Sequence, residues 1–173
     1  MTLDIAGGNS ASPERPGRFV QYGAIPWRHS KHGDLRILLI TSRGRKRWIV
    51  PKGWPIAGKT PGEVAAREAF EEAGVFGEMT AEAVGSFGYS KVLRDGSNAD
   101  CTVRLFGLNV RGTWVNWPER AERKRQWVGL DEAIDLVGDC ELARLMETMR
   151  GECLVAAEET AADRLRQHGA DRN

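Results

Sequence analysis

Glu68, Glu71 and Glu72 stand at positions i, i+3 and i+4 of the run Arg67-Glu68-Ala69-Phe70-Glu71-Glu72-Ala73-Gly74. On a helix such residues are surface neighbours, about 5–6 Å apart at Cβ. Carboxylates crowded onto one face repel each other unless a cation lies among them. Oxygen-only donors suit hard divalent ions such as Mg²⁺ or Mn²⁺. The chemistry to expect is metal-assisted: neutralisation of anionic charge and activation of water. The opposite face, Ala65, Ala66, Ala69 and Ala73, is small and apolar and suits close packing on a sheet.

The elements that must position these carboxylates are marked by their own punctuation. Thr60 is a helix cap, Pro61 suits the first helical position, and Glu63 completes a capping box. Gly74 is the matching stop. Lys52 to Gly58 (KGWPIAG) is predicted as the loop leading in. Strands are expected over Phe19 to Trp27, Leu35 to Thr41 and Trp48 to Val50. Two longer ones are expected over Glu82 to Leu93 and Cys101 to Val110, joined by a turn at Asp95-Gly96-Ser97-Asn98. Trp114 to Trp117 and Arg125 to Val128 are shorter candidates, and helices are expected from Leu130 to Val137 and from Glu141 to Arg150. Strands interleaved with well-separated helices predict an α/β fold, an α/β/α sandwich on a mixed central sheet. No GxGxxG or Walker loop is present, which excludes the common dinucleotide and P-loop folds.

At 173 residues the chain suits one domain, expected over residues 18–150, with a disordered leader at 1–17 and a polar, helical or frayed tail at 151–173. A domain of this size buries roughly 70% of its unfolded surface. The net charge of +1 gives no general attraction to nucleic acid or membrane, so polyanion binding must come from local clusters. Cys101, Cys140 and Cys153 are widely spaced and odd in number, which fits reduced thiols and a cytoplasmic location. The leader lacks a signal peptide's basic start and apolar core. No apolar run approaches the ~20 residues that span a bilayer.

The stretch from Gly53 to Val75 resembles the Nudix box, the signature of hydrolases that cleave nucleoside diphosphates linked to another group. The box glycine falls on Gly53, the arginine-glutamate pair on Arg67 and Glu68, and the double glutamate on Glu71 and Glu72. The closing glycine and aliphatic fall on Gly74 and Val75. Lys59 departs from the pattern, standing where the family has a glutamate that supports the loop; Glu63, one turn from Arg67, is expected to supply part of that support. The run Arg47-Trp48-Ile49-Val50-Pro51-Lys52-Gly53 resembles the diphosphoinositol polyphosphate and diadenosine polyphosphate phosphohydrolase branch. So does Arg123-Lys124-Arg125-Gln126-Trp127, followed by Asp131-Glu132-Ala133. The similarity covers about Arg18 to Met146.

The resemblance implies a Nudix-type sandwich with a loop-helix catalytic motif. It implies that Glu68, Glu71 and Glu72, with the Gly53 carbonyl, hold Mg²⁺ (or Mn²⁺), with Arg67 in the catalytic set. Glu68 and Glu72 are expected on the metal, while Glu71 divides itself between metal and Arg67. One of these carboxylates is the expected base, with Glu68 favoured but not assigned. Substrate selection must come from elsewhere: Arg43, Arg45 and Arg47 after the second strand, Lys52 in the loop, Arg125 in the later basic cluster, and Trp54 as a stacking surface. Guanidinium groups grip phosphate in a bidentate way, so a ligand with several phosphates fits best. Glu119 and Glu122 are further carboxylate candidates, and His29 and His32 read as surface residues. The expected partner is a small polyphosphorylated molecule, with no nucleic acid or membrane, acting on a monomer or homodimer. ADP-ribose or a related nucleoside diphosphate sugar is an alternative substrate. A non-catalytic nucleotide or inositol phosphate sensor is the alternative of another class.

Overall fold

The computed structural model describes residues 19–92 and 96–151. The expected leader, Asp95 of the expected turn, and residues 152–173 of the expected tail lie outside the described residues.

The strands are β1 (Phe19–His29), β2 (Leu35–Thr41), β3 (Trp48–Ile49), β4 (Lys52–Gly53), β5 (Val75–Met79), β6 (Gly85–Val92), β7 (Asn98–Thr113) and β8 (Arg125–Gly129). The helices are α1 (Pro61–Ala73) and α2 (Leu130–Val137), and residues 140–151 form a further helix, α3. All the strands join one mixed sheet in the order β3-β2-β1-β7-β5, with β4 on β1, β6 on β7 and β8 on β2. β1 and β7 run parallel, and the other pairings are antiparallel.

Period-two alternation divides the core into two layers. Leu38 and Ile40 of β2 and Phe106, Leu108 and Val110 of β7 face Ala65, Ala69 and Ala73 of α1. Their odd-numbered neighbours Ile37, Leu39, Val103 and Leu105 face the other way, onto Ala133, Leu142 and Met146 of α2 and α3. β2 is therefore buried on both sides, as its unbroken apolar run requires. Each fully buried Leu or Ile contributes about 1.5–3 kcal/mol. The result is the expected α/β/α sandwich. Ala66 is exposed and takes no part in the helix–sheet contact.

Several local expectations change. Lys52 and Gly53 are strand rather than loop, because β1 pairs with β2 only from Trp27 to His29. Where the two separate, β4 pairs with β1 at Tyr22 and Gly23. Val75–Met79 is a strand that the sequence pattern did not announce. Trp114–Trp117 is not a strand: β7 ends at Thr113 and a bend follows. β6 begins at Gly85 rather than Glu82. Among the described residues no helix is long and apolar enough to cross a membrane.

Candidate active site

α1 starts and stops where its punctuation says. The Thr60 hydroxyl accepts from the Glu63 N–H, and the Glu63 carboxylate accepts from the Thr60 N–H at 2.7 Å. At the other end Gly74 adopts φ 64°, a left-handed turn that favours glycine, and its N–H donates to the Phe70 carbonyl at 2.8 Å. Glu63 is therefore committed to the cap. It does not brace Arg67, whose Nε instead donates to Glu71 at 2.7 Å.

With its alanines against the sheet, α1 turns Glu68 and Glu72 toward β4. The Glu68 carboxylate lies against the Gly53 backbone so closely that a Cβ on residue 53 would stand 2.1 Å from its carboxyl carbon. Glu68 makes no hydrogen bond or ion pair among the described residues. Partial burial, then the charges of Glu72, Glu71 and Glu119, push it up to about 7. Glu72 is only 6% exposed and accepts from the Lys52 N–H at 3.1 Å. Burial raises its carboxyl, and the nearby Arg123 guanidinium partly offsets that.

Arg123 joins the site from 51 residues away; the sequence offered it as part of a basic cluster for phosphate, not as the partner of Glu72. Its Nη2 pairs with Glu72, its Nη1 donates to the Thr41 carbonyl at 3.0 Å, and its Nε pairs with Glu119 at 2.5 Å. Glu119 also receives Arg43. Burial would raise the Glu119 carboxyl, but the hydrogen bonds from Arg123 and Arg43 outweigh it and hold the group low. A chain of alternating charge thus runs Arg43–Glu119–Arg123–Glu72 and ends beside Glu68. Among the described residues no three His, Cys, Asp or Glu side chains are gathered into a ready metal cage, since Glu71 and Glu72 are turned to guanidinium groups. The donor set nevertheless fits a hard cation: carboxylate oxygens, an uncompensated Glu68 and a side-chain-free backbone at Gly53.

The NUDIX domain model matches residues 20–148. The chain belongs to the Nudix family. It is 35% identical over 133 residues to a chloroplastic Nudix hydrolase 21 of Arabidopsis thaliana, covering 72% of this chain and 63% of that protein. It is 30% identical over 124 residues to the diphosphoinositol polyphosphate phosphohydrolase 3-beta of Bos taurus, covering 70% of this chain and 71% of that one. The chain thus spans somewhat under two thirds of the Arabidopsis relative's length. The fold also matches the crystal structure of a C. elegans Ap4A hydrolase binary complex, with TM-score 0.59 and 21% identity over 79% of this chain and 98% of that one.

Within this Nudix fold the expected substrate cations separate into two groups. Lys52 is at the site: its ammonium lies 5.3 Å from the centre of the Tyr89 ring, and burial lowers it to about 8 despite the attraction of Glu72. Trp54 is 39% exposed at the mouth of the loop. Arg45 and Arg47 are exposed on the turn between β2 and β3, while Arg43 is held by Glu119 and Glu122. Arg125 is engaged elsewhere. Its Nη1 donates to the Ala73 carbonyl at 2.7 Å, its Nη2 donates to the Trp114 carbonyl at 2.8 Å, and the guanidinium lies 4.0 Å from the Trp117 ring centre. The carbonyls at the C-terminal end of α1 attract a cation, so Arg125 caps the helix rather than facing the carboxylates. Tyr89, Gln21 and Lys91 carry no motif, and only strand pairing brings them to this place.

Proposed function

We propose that this Nudix protein is a divalent-metal-dependent hydrolase of a phosphoanhydride bond in a polyphosphorylated small molecule, of the diadenosine polyphosphate or diphosphoinositol polyphosphate class. The observation that carries the reading is Glu68, a carboxylate pressed onto the Gly53 backbone with no cation of its own, one turn from the buried Glu72. A structural role gives no reason for uncompensated charge there; a cation site does. Glu68, Glu72, Glu71 and the Gly53 carbonyl would hold Mg²⁺ or Mn²⁺. When bound, the metal supplies charge neutralisation on phosphate oxygens and a more acidic water.

This chain's own residues do the rest. Glu68 is the favoured acceptor of a proton from water. Lys52 places a cation beside the carboxylates, where an anionic ligand must approach. Arg123 orients Glu72, and Arg67 orients Glu71. The relatives named as phosphohydrolases support the substrate class.

The test is Mg²⁺-dependent hydrolysis of diadenosine polyphosphates, diphosphoinositol phosphates, ADP-ribose and nucleoside triphosphates, read by chromatographic separation of the products. Turnover of the first two classes supports the reading. Turnover confined to ADP-ribose would move the substrate to nucleoside diphosphate sugars, and hydrolysis of none would favour a sensor.

A further inference from the structure

Beside Gly53 the strands gather a second constellation, part of which the hydrolytic chemistry does not use. Lys91 on β6 places its ammonium 4.5 Å from the centre of the Trp54 ring, and Phe19 meets the same indole edge-on at 5.9 Å. Next to it, Lys52 lies over Tyr89, whose hydroxyl donates to the buried Gln21 at 2.6 Å. The pairings explain the gathering. Tyr89 and Phe19 both pair with Cys101 of β7, from opposite sides, and Lys91 follows Tyr89 on the same face of β6. β4 brings Lys52 and Gly53 in from β1, and Trp54 follows directly.

Two properties of this constellation point to an anionic ligand. Lys52 and Lys91 lie over the rings of Tyr89 and Trp54, and neither makes an ion pair among the described residues. Several of the chain's arginines, by contrast, are paired with carboxylates: Arg43, Arg67, Arg111, Arg123 and Arg150. Trp54 and Phe19, which meet edge-on, are 39% and 53% exposed, so the ring that holds Lys91 and its neighbour are open to a ligand.

We propose that Lys91 is a specificity-determining residue that binds a phosphate group lying beyond those of the cleaved anhydride. Trp54 holds the ammonium in place through its ring face. Lys52 serves the phosphates nearest the carboxylates, and Lys91 reads whether the substrate continues outward with more. This rests on the hydrolase reading above and deepens it, because it selects polyphosphorylated substrates over those with a single diphosphate.

The experiment compares wild type, Lys91→Ala, Lys91→Arg and Trp54→Leu on diadenosine tetraphosphate, a diphosphoinositol polyphosphate and ADP-ribose. Lys31→Ala, on the exposed hairpin between β1 and β2, controls for net charge. Loss of one charge-assisted contact should raise KM for the two polyphosphate substrates about tenfold. KM for ADP-ribose should stay within about twofold, kcat should hold, and Lys91→Arg should restore most of the loss. Trp54→Leu should act in the same direction, and the double variant Trp54→Leu/Lys91→Ala should lose less than the sum of the two. A uniform KM rise on all the substrates, or a loss explained by a lower Tm, would overturn the proposal. If the wild type turns over none of them, the hydrolase reading fails first. Equilibrium binding of diadenosine tetraphosphate in EDTA then still decides: an unchanged Kd in Lys91→Ala overturns the role of Lys91, and a weakened one supports it.

Discussion

Arg123 and Glu72 form an ion pair in which the side chains are 7% and 8% exposed, beneath the turn that carries Glu119. A pair so buried is costly to break from one side, because the remaining charge is stranded without water. Arg123→Ala should therefore destabilise the protein by about 3–5 kcal/mol, read as a fall in the urea midpoint. Arg123→Met combined with Glu72→Gln removes both charges and should regain much of that stability. Activity should not return with it. If the double variant is as unstable as Arg123→Ala, the guanidinium's bond to the Thr41 carbonyl, and not the charge pair, is what holds this corner.

Glu68 makes the metal-free protein sensitive to pH in a direction opposite to ordinary acid denaturation. Its carboxyl is raised from 4.5 to about 7, by burial first and neighbouring carboxylates second. A raised folded value means the native state holds a proton that the unfolded chain releases between those values. The contribution of Glu68 is thus full below about pH 4.5 and is lost as the pH rises through 7. In EDTA, Tm should fall across this window, and Glu68→Gln should flatten the fall. Added Mg²⁺ should raise Tm of the wild type at pH 7.5 more than that of Glu68→Gln. The same substitution, and Glu72→Gln, should lower kcat by orders of magnitude; near-normal turnover in either would remove the carboxylates from the chemistry.

How much of this site was legible in the sequence depends on chain distance. The helix and its carboxylates could be read directly, because Thr60, Pro61, Glu63 and Gly74 act within one or two turns of their own positions. The alternation of Leu38 and Ile40 against Ile37 and Leu39 was visible only as an apolar run, since both faces are buried. β5 was hidden for a different reason. It follows directly on Gly74 with no separate turn sequence, exposes Phe76, Gly77 and Glu78, and carries a register shift between Phe76 and Gly77. Arg123 read as one member of a solvated basic cluster, and neighbours in sequence could not reveal that it reaches Glu72 while Arg125, two residues on, reaches the end of α1. The Tyr89–Gln21 contact spans 68 residues and depends on two strand registers at once.

Arg125→Ala tests the reassignment of that residue. Its guanidinium bonds to the carbonyls of Ala73 and Trp114 and stacks on Trp117, all at the C-terminal end of α1. Losing these contacts should cost about 1–3 kcal/mol of stability. KM for the polyphosphate substrates should stay within about twofold at a temperature where the variant is folded. A selective rise in KM would return Arg125 to the substrate site.

Gly53→Ala probes the closest approach in the site with a single methyl group. The added carbon would stand 2.1 Å from the Glu68 carboxyl carbon, far inside van der Waals contact. The group it meets is the end of a flexible side chain rather than backbone, so the carboxylate swings away and the strand pairing with Tyr22 survives. The stability cost should then be modest, about 1 kcal/mol, at the low end for an overpacked site. Turnover is more demanding, since a displacement of about 1 Å at a reacting group can cost on the order of 10²-fold. Gly53→Ala should therefore lower kcat strongly while leaving the circular dichroism spectrum intact. Ala at residue 53 with normal kcat would mean that the position of Glu68 against this backbone is not the one in which it works.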